Sequence, residues 1–283
     1  MEKIKSEIGF NYETIKITKS RIDKGLLAIP VSLLDFFPKE KTDIFILFDN
    51  EDIPSKKHFT PYSSSSRECR IGGLSNWFIK NNFQDKDEIV VQILDKEEKI
   101  YRLIKENQFI TTINQIQNNL ENLENEEEVI TELENLSKKV NVDKRELIVN
   151  EFLKLENKPT EIRKIHILNV SQKKESVPTY LKTILYEIYN GKCQLTGFTF
   201  LQKNGRYFSE IHHINPEQGN HIKNLLIVSA NIHRQFTYSN FEQSFDENGW
   251  LRKVNFVDDS REYNVNQMID KFNKKEFIKN IHI

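Results

Sequence analysis

Three histidines and one asparagine in a short stretch of this chain have residue types and spacing suited to chemistry. His212 and His213 are adjacent, Asn224 follows eleven residues after His213, and His233 comes nine residues after Asn224. Hydrolysis of a phosphodiester requires an activated water, neutralisation of transition-state charge and support for the leaving oxygen, which a metal ion and one nearby base can supply. Histidine suits both tasks, because its unperturbed pKa near ~6.5 leaves neutral imidazole at physiological pH. Residues of these types could therefore supply both a metal site and a base for metal-assisted hydrolysis.

Two predicted strands and a helix position these side chains. Residues 206–214 mix aromatic and β-branched residues with polar ones, and residues 224–229 form a short apolar run, so both are predicted strands. Pro216 breaks the chain between them. Residues 230–238 follow Ser229, a residue type favoured at helix N-caps, and are predicted to form a short helix. The sequence thus predicts a ββα unit with imidazoles on strand and helix.

The two adjacent histidines raise a geometric difficulty. Successive side chains on a regular strand point to opposite faces, so a local bend is needed to bring His212 and His213 to one phosphate. A histidine in a strand can also be a hydrogen-bonded structural residue, and this alternative stays open. Four of the seven histidines nevertheless lie between His212 and His233, of which His221 falls outside the pattern and is interpreted as a loop residue.

Two motifs in this region resemble those of the HNH (ββα-metal) nucleases, over residues 178–245. They are EIHHI at residues 210–214 and NLLIVSANIHRQF at residues 224–236. The resemblance implies that His212 and His233 are metal ligands, that His213 is the general base, and that Asn224 steadies the loop and the base. It also implies a divalent cation as cofactor, with Mg²⁺ preferred over Mn²⁺, that keeps open positions for water and phosphate oxygens.

The cysteines depart from the pattern of many HNH domains, which hold a structural zinc with two CxxC pairs. Cys69 and Cys193 are the only cysteines, and they are far apart in the sequence. We therefore expect no structural zinc. Cys193 begins the sequence CQLTG, which also resembles the family, and is interpreted as a small buried hydrophobic residue.

Length and charge constrain the rest of the chain. A chain of 283 residues allows two domains of usual size. The absence of an apolar stretch of membrane-spanning length and of a signal-like start predicts a soluble, cytoplasmic protein with no membrane partner. The net charge is −1, yet residues 137–283 contain 23 basic against 17 acidic residues. Attraction to phosphate depends on such local excess, so a nucleic-acid substrate is compatible with this composition.

The acidic counterweight lies in residues 107–136, which contain seven glutamates and no lysine or arginine. Apolar residues recur there at helical spacing without proline or glycine, which predicts one or two amphipathic helices. A solvated spacer, a dimerisation helix and a packing arm all remain possible roles.

Residues 10–105 are predicted to be mainly β. The strand predictions are short runs rich in β-branched or aromatic residues, at 26–30, 43–48, 88–94 and 99–104. Short helices are predicted at residues 31–38 and 74–82, and Trp77 and Phe78 in the second are interpreted as core. A small β-barrel with inserted helices follows.

Basic residues in this region form two clusters. The first lies before LLAIP and consists of Lys16, Lys19, Arg21 and Lys24. The second flanks the serine run from Ser63 to Ser66, consists of Lys56, Lys57, Arg67 and Arg70, and is opposed by Glu68. Arginine can read guanine bidentately, and lysine or serine can hold phosphates. For either cluster alone, a solvated surface is the competing interpretation.

The order of these segments resembles the B3-like DNA-recognition domain of several restriction endonucleases and plant transcription factors, over residues 10–106. The segments that carry the resemblance are KSRIDKGLLAIPVSLLDFFP, FTPYSSSSRECRIGGLSNWFIKNN and DEIVVQILDKEEKIYRL. The resemblance implies a pseudobarrel with two arms that enter the major groove of double-stranded DNA. The DNA-binding residues that it implies are Lys19, Arg21, Lys24, Tyr62, Arg67 and Arg70.

Together, the two resemblances predict an α+β protein with a recognition part and a cutting part. We expect an N-terminal B3-like β-pseudobarrel at residues 1–106, an acidic helical linker at 107–150 and a C-terminal ββα-metal HNH domain with flanking helices at 151–283. These parts are typical of a type II restriction endonuclease of prokaryotic cytoplasm. One HNH site cuts one strand, so a homodimer is expected. A modification-dependent endonuclease and a non-catalytic DNA-binding regulator are the alternatives. A last strand at 250–257 and a helix at 272–281 are expected to pack on the nuclease domain.

Overall fold

The computed structural model describes residues 2–5, 8–62, 68–162, 165–168, 171–174 and 176–272. Its elements combine helices with strands, in agreement with the α+β prediction. The chain divides into two compact units. The first is built mainly from residues up to Gln117 together with Lys138–Asn141, and the second from Asn118–Ser137 with the residues from Val142 onward.

The first unit is built around a single eight-stranded sheet. Its strands are Glu2–Lys5 (β1), Tyr12–Lys16 (β2), Leu27–Ile29 (β3), Thr42–Phe48 (β4), Ser55–Thr60 (β5), Cys69–Ile71 (β6), Glu88–Asp95 (β7) and Ile100–Lys105 (β8). They lie in the order β1–β2–β7–β8–β4–β5–β6–β3. Neighbouring strands are antiparallel except β4 and β8, which pair in parallel. The sheet is barrel-like and nearly closed.

The inside of this sheet is filled by side chains that alternate along the strands. On β4, Ile44 and Ile46 are fully buried, whereas Asp43 and Phe45 are exposed. This alternation is expected of a strand with one face on a core. The predicted strands within residues 26–30, 43–48, 88–94 and 99–104 are confirmed as β3, β4, β7 and β8. The strands β2, β5 and β6 were not predicted.

Two short helices lie beside the sheet, Lys19–Lys24 (α1) and Ser75–Lys80 (α2). Gly25 ends α1 with a φ of 62°, and a Cβ atom there would lie 2.1 Å from Oγ of Ser75. Only glycine therefore allows α1 to approach α2 so closely. The helix predicted at 74–82 is confirmed as α2 with Trp77 and Phe78 buried, and the other predicted helix is a 3-10 helix at Val31–Phe36.

The acidic segment forms helices, as predicted. The helices are Glu106–Asn122 (α3), Glu126–Val140 (α4) and Lys144–Glu156 (α5). Their apolar residues are buried, among them Leu120, Leu133 and Leu136, so the segment is not a solvated spacer. Asp143 caps α5, because its Oδ1 accepts hydrogen bonds from the N–H groups of Arg145 and Glu146 at 2.8 and 3.0 Å.

The second unit contains three small sheets and two further helices. Its elements are the hairpin Ile165–Leu168 (β9) and Ser171–Lys174 (β10), Thr179–Tyr189 (α6), Glu210–His213 (β11), Leu225–Val228 (β12), Ala230–Tyr238 (α7), Phe241–Phe245 (β13), Leu251–Phe256 (β14) and Arg261–Asn264 (β15). The last three strands form one sheet, with β14 in the middle. Side chains of β12, α7 and β14 share a core that includes Val228, Ile232, Phe236 and Val254.

The predictions for the second unit fared unevenly. The helix at residues 230–238 is confirmed as α7, and the strand at 250–257 as β14. The strand predicted over residues 206–214 is confined to β11. The helix predicted at 272–281 lies, except for its first residue, outside the described residues. Cys69 and Cys193 are buried free thiols, and the described part of the chain has no helix long and apolar enough to cross a membrane.

Candidate functional site

The three candidate histidines and Asn224 belong to one ββα unit made of β11, β12 and α7. β11 and β12 pair antiparallel in regular register, with Glu210 opposite Val228 and His213 opposite Leu225. Because the pairing contains no bulge, His212 and His213 extend to opposite faces of β11. His212 meets α7 and His213 meets the loop that leads to β12. The two adjacent histidines therefore have different partners.

His212 is held against the helix as a neutral ring. Its imidazole stacks on Phe236 with centroids 4.1 Å apart, and its centroid lies 5.4 Å from that of His233. Burial, helped by the nearby charges of His233 and His213, lowers the pKa of His212 to about 4. Its Nε2 atom is buried and has no hydrogen-bond partner among the residues that the structure describes. A neutral imidazole with an unpartnered nitrogen is suited to bind a metal ion.

His233, on α7, is oriented by a carboxylate of β11. Its Nδ1 atom is hydrogen-bonded to Oε2 of Glu210. Glu210 and His212 are two residues apart on the strand and therefore share its face. A carboxylate on one ring nitrogen fixes the orientation of the ring and directs the other nitrogen, Nε2, toward further partners. Glu210 is a functional candidate that sequence reasoning missed, although the period of two along β11 contained the signal.

His213 is oriented by the side chain of Asn220. The Nε2 atom of His213 lies 3.1 Å from Oδ1 of Asn220, and Nδ2 of Asn220 donates to the carbonyl oxygen of Ser176 at 3.0 Å. The second bond fixes the direction of the amide, so that Asn220 presents an acceptor to His213. This contact therefore places the proton of a neutral His213 on Nε2.

Asn224 braces the loop between the two strands. Its side chain is 3% exposed. Oδ1 accepts from the N–H of Asn215 at 2.8 Å, and Nδ2 contacts the carbonyl oxygens of Asn215, Gln218 and Gly219 at 3.0, 3.3 and 3.2 Å. One amide thus fixes the path of the loop that follows His213. The resemblance assigns this residue the same kind of task.

The donor set fits a divalent cation with few protein ligands. The unpartnered Nε2 of His212 and the carboxylate-oriented ring of His233 are neighbours in the same unit. Among the described residues, no group of three or more histidine, cysteine, aspartate or glutamate side chains is arranged to hold a metal ion. A cation here would therefore have His212 and His233 as protein ligands and keep its other positions for water or substrate.

In the first unit, the two basic clusters meet at Glu68. The guanidinium of Arg21, on α1, makes two hydrogen bonds to the Glu68 carboxylate at 2.6 and 2.5 Å. Nη1 of Arg70, on β6, lies 3.9 Å from Oε1 of the same carboxylate. A paired fork of this kind fixes the orientation of the arginine. The sequence shows Glu68 as the acid opposed to the second cluster, but it does not reveal the pairing of Glu68 with Arg21 of the first.

The other predicted DNA-binding residues differ in their surroundings. Lys19 and Lys24 are exposed on α1, where Lys19 lies 3.8 Å from Asp23. Tyr62 is exposed, and its backbone N–H donates to Sγ of Cys69 at 3.0 Å. Arg67 lies outside the described residues. Those that the structure describes thus lie on α1, on β6 and on the segment before it.

No protein-family model matches the chain, and no curated protein matches it either. Two solved structures are similar to part of it, each covering 32% of this chain, within its N-terminal part. One is the Arabidopsis FUS3-DNA complex, with 15% identity, 92% of that chain covered and a TM-score of 0.27. The other is the N-terminal domain of Helicobacter pylori LlaJI.R1, with 16% identity, 76% covered and a TM-score of 0.26. Scores this low do not establish a shared fold.

The segment around Cys193 is hydrogen-bonded to β12 of the ββα unit. The backbone N–H of Gln194 donates to the carbonyl oxygen of Ile227, on β12, at 2.8 Å. The N–H of Ile227 in turn donates to Oε1 of Gln194, also at 2.8 Å. Cys193 itself is buried in the core of this unit, as interpreted from the sequence. The CQLTG sequence therefore fixes the outer edge of β12 and, through it, the strand that carries the candidate histidines.

Proposed function

We propose that the protein is a site-specific DNA endonuclease, with the ββα unit as an HNH catalytic centre and the first unit as a B3-like recognition domain. The observation that carries the proposal is the buried, unpartnered Nε2 of His212 beside His233, whose ring is oriented by Glu210. A structural histidine pair would have both of its buried nitrogens hydrogen-bonded, because an unsatisfied buried polar atom costs about 1–3 kcal/mol. A metal ion would supply the partner that this atom lacks within the described part of the chain.

The residues around this pair have separate tasks. His212 and His233 would hold the cation, Mg²⁺ or Mn²⁺, and Glu210 sets the ring of His233. His213 is the general base of this proposal. Because it extends to the opposite face of β11 from His212, β11 has to bend when substrate binds for His213 to reach the phosphate held by the cation. Asn224 keeps the loop after His213 in place. When bound, the cation supplies Lewis-acid stabilisation of charge on the phosphoryl oxygens.

Recognition is assigned to α1 and to the chain around β6. Arg21 is held in a fixed orientation by Glu68, which accepts one N–H from each terminal nitrogen and leaves the other three N–H groups of the guanidinium for a guanine edge or a phosphate. The exposed ammonium groups of Lys19 and Lys24 suit phosphate contacts, and Arg67, Arg70 and Tyr62 complete the proposed surface. A double-strand break needs two cuts, so we propose that the active enzyme is a homodimer, as in a type II restriction endonuclease.

The test compares the wild-type protein with His213→Ala and His58→Ala on unmethylated and methylated plasmid and phage DNA. His58 is a histidine outside the ββα unit and serves as the matched control. With Mg²⁺ we expect discrete fragments from the wild type and from His58→Ala. EDTA abolishes them, and His213→Ala cuts about 10²–10⁴-fold more slowly while still binding DNA. Sequencing the ends gives the site.

A second variant examines the metal assignment without relying on cleavage. Glu210→Gln keeps the size of the side chain but removes the charge that orients His233, so we expect Mn²⁺ affinity to fall about 10–100-fold in calorimetry. Sequence-specific binding with no cutting of any substrate would replace the proposal with a non-catalytic regulator. Cutting of methylated DNA alone would replace it with a modification-dependent endonuclease.

A further inference from the structure

A cavity of about 500 Å³ lies in the second unit on the side of α7 that does not carry His233. Asn231, Arg234, Gln235 and Tyr238 line it from α7, and they share one face of the helix because they are three or four residues apart. Phe198 and Arg261 line it from other segments. Its volume falls in the ~300–1,000 Å³ range of small-ligand pockets. None of these residues has a task in the proposed catalytic centre.

We infer that this cavity binds a single unstacked nucleotide of a DNA strand, with its base between aromatic rings and its phosphate on arginine. The inference rests on the proposed function, since it deepens how the second unit holds its substrate. Its support comes from the charge, the exposed rings and the amide groups that meet there.

The cavity offers positive charge that other side chains do not neutralise fully. Arg234 is exposed and has no ion-pair or hydrogen-bond partner among the described side chains. Arg261 is paired through Nε with Asp259 at 3.3 Å, which leaves the terminal nitrogens of its guanidinium directed elsewhere. Two guanidinium groups at one cavity, opposed by one carboxylate, favour a phosphate.

The cavity also exposes aromatic rings to solvent. Tyr238 is 78% exposed and Phe198 is 55% exposed. Large rings are exposed at a cost in a soluble protein, and a base that stacks on them removes this surface from water. Stacking tolerates every base because each base has a π-face.

Polar groups between the rings and the arginines complete the match. The amide of Asn231 is exposed, and Gln235 Nε2 donates to Asp259 at 3.1 Å, which leaves its Oε1 as an acceptor. Amides pair with the donor and acceptor edges of bases. The cavity thus offers arginine for a phosphate, aromatic rings for the face of a base and amides for its edge. A nucleotide presents all three features, whereas an apolar protein segment does not.

The position of the cavity gives it a use in cleavage. In this arrangement, a strand whose phosphate lies at His212 and His233 would reach Arg234 and Tyr238 by crossing α7. Holding one neighbouring nucleotide out of the stack fixes the strand on both sides of α7. We therefore expect tighter binding of single-stranded than of fully paired DNA at this site.

The experiment measures binding of a short, fluorescently labelled single-stranded DNA to the full-length protein in EDTA, where no cutting occurs. Tyr238→Ala should weaken binding about 10-fold, and Tyr238→Phe should stay within about 2-fold because the ring remains. Arg234→Ala should weaken binding about 5-fold and reduce its salt dependence. Lys192→Ala, which removes an exposed charge outside the cavity, is the matched control and should bind as the wild type does.

A second readout locates the base directly. DNA that carries iododeoxyuridine should cross-link under ultraviolet light to Tyr238 or Phe198. Wild-type-like binding by both alanine variants, or a cross-link mapped to the first unit, would overturn the inference. If the wild type cleaves plasmid and the alanine variants bind DNA as the wild type does, the inference of a nucleotide site in the cavity is wrong and the proposed function stands. If the wild type never cleaves but binding depends on Tyr238 and Arg234, the proposed function fails and the cavity stands.

Discussion

The two units hold their candidate functional residues in opposite ways. In the first unit, Lys19, Lys24 and Tyr62 are exposed, and the core is built by other residues of the sheet. In the second unit, Asn224 is buried, and His212 stacks on Phe236, a member of the core cluster. The candidate residues of the first unit lie on the surface of a core built by other residues. The candidate residues of the second unit pack into the core themselves.

This difference has a consequence for substitutions. A residue displayed on a surface can be changed with little effect on folding, because surface substitutions usually change the free energy of unfolding by less than about 0.5 kcal/mol. A residue whose side chain hydrogen-bonds buried polar groups cannot be changed without a larger loss in the free energy of unfolding. We therefore expect recognition to be separable from stability in the first unit, and chemistry to be coupled to stability in the second.

The largest effect is expected for Asn224→Ala. This change leaves the buried N–H of Asn215 and the carbonyl oxygens that Asn224 contacts without their partner. We expect the free energy of unfolding to fall by about 2–4 kcal/mol, measured by urea denaturation. Asn248→Ala, an exposed asparagine of the same unit, is the control. Equal midpoints for the two variants would remove the contrast between the units.

A smaller effect, on DNA binding rather than stability, is expected at Glu68. Glu68→Ala removes a carboxylate from between Arg21 and Arg70, so affinity for DNA of arbitrary sequence should rise about 3–10-fold at low salt. Preference for the proper site should fall, because Arg21 loses its fixed orientation. Fluorescence anisotropy with specific and unrelated duplexes measures both quantities.

The opposite change in the same cluster is Arg21→Ala. It should weaken binding to the specific duplex about 10-fold and change the free energy of unfolding by less than about 0.5 kcal/mol. Lys80→Ala, which breaks the exposed pair with Glu51, is the matched control for loss of a basic side chain, and Glu51→Ala is the control for Glu68→Ala. A large loss of stability in Arg21→Ala would show that the candidate residues of the first unit also stabilise its fold.

The smallest effect is a pH dependence of the second unit. His221 is buried, its Nε2 donates to the carbonyl oxygen of Lys158 and its Nδ1 accepts from the N–H of Lys223. Burial lowers its pKa from the ordinary 6.5, so the unfolded chain binds a proton more readily than the folded one. Stability from this group is complete above pH 6.5 and declines below it.

His221→Gln keeps a donor and an acceptor but removes the titration. We expect its unfolding midpoint in urea to change less than that of the wild type when the pH falls from above 6.5 to below it. His212, whose pKa is lowered to about 4, acts in the same direction in both proteins. Parallel pH profiles for the two proteins would place the dependence elsewhere.

How far the sequence predicted the fold depended on whether local patterns or distant contacts decide an element. The helix α7 was predicted to the residue, because Ser229 and the fall in β-branched residues mark its start. The strand β5 was missed, because Ser55–Thr60 contains lysines and a histidine rather than an apolar run. α1 was missed because none of its residues is buried, and its place depends on Gly25 and on the contact of Arg21 with Glu68.

The same distinction applies to the candidate site. The spacing of His212, His213 and His233 is visible in the sequence, and the structure brings the first and last together. Glu210 could have been predicted from its place two residues before His212. Asn220 could not, because its amide is oriented by the backbone of Ser176, which is distant in sequence. A contact of that kind depends on the folded chain.

The parallel pairing of β4 with β8 bears on how this protein is made. The N–H of Asp49, directly after β4, donates to the carbonyl oxygen of Leu103 on β8 at 2.9 Å. The 51 residues from 49 to 99 separate the two strands in sequence. Pairings between distant segments slow folding, since the chain loses entropy before the contact forms. Until β8 has left the ribosome, β4 and β7 each present an open edge that can recruit other nascent chains. Slower synthesis at low temperature should therefore raise the yield of correctly folded protein.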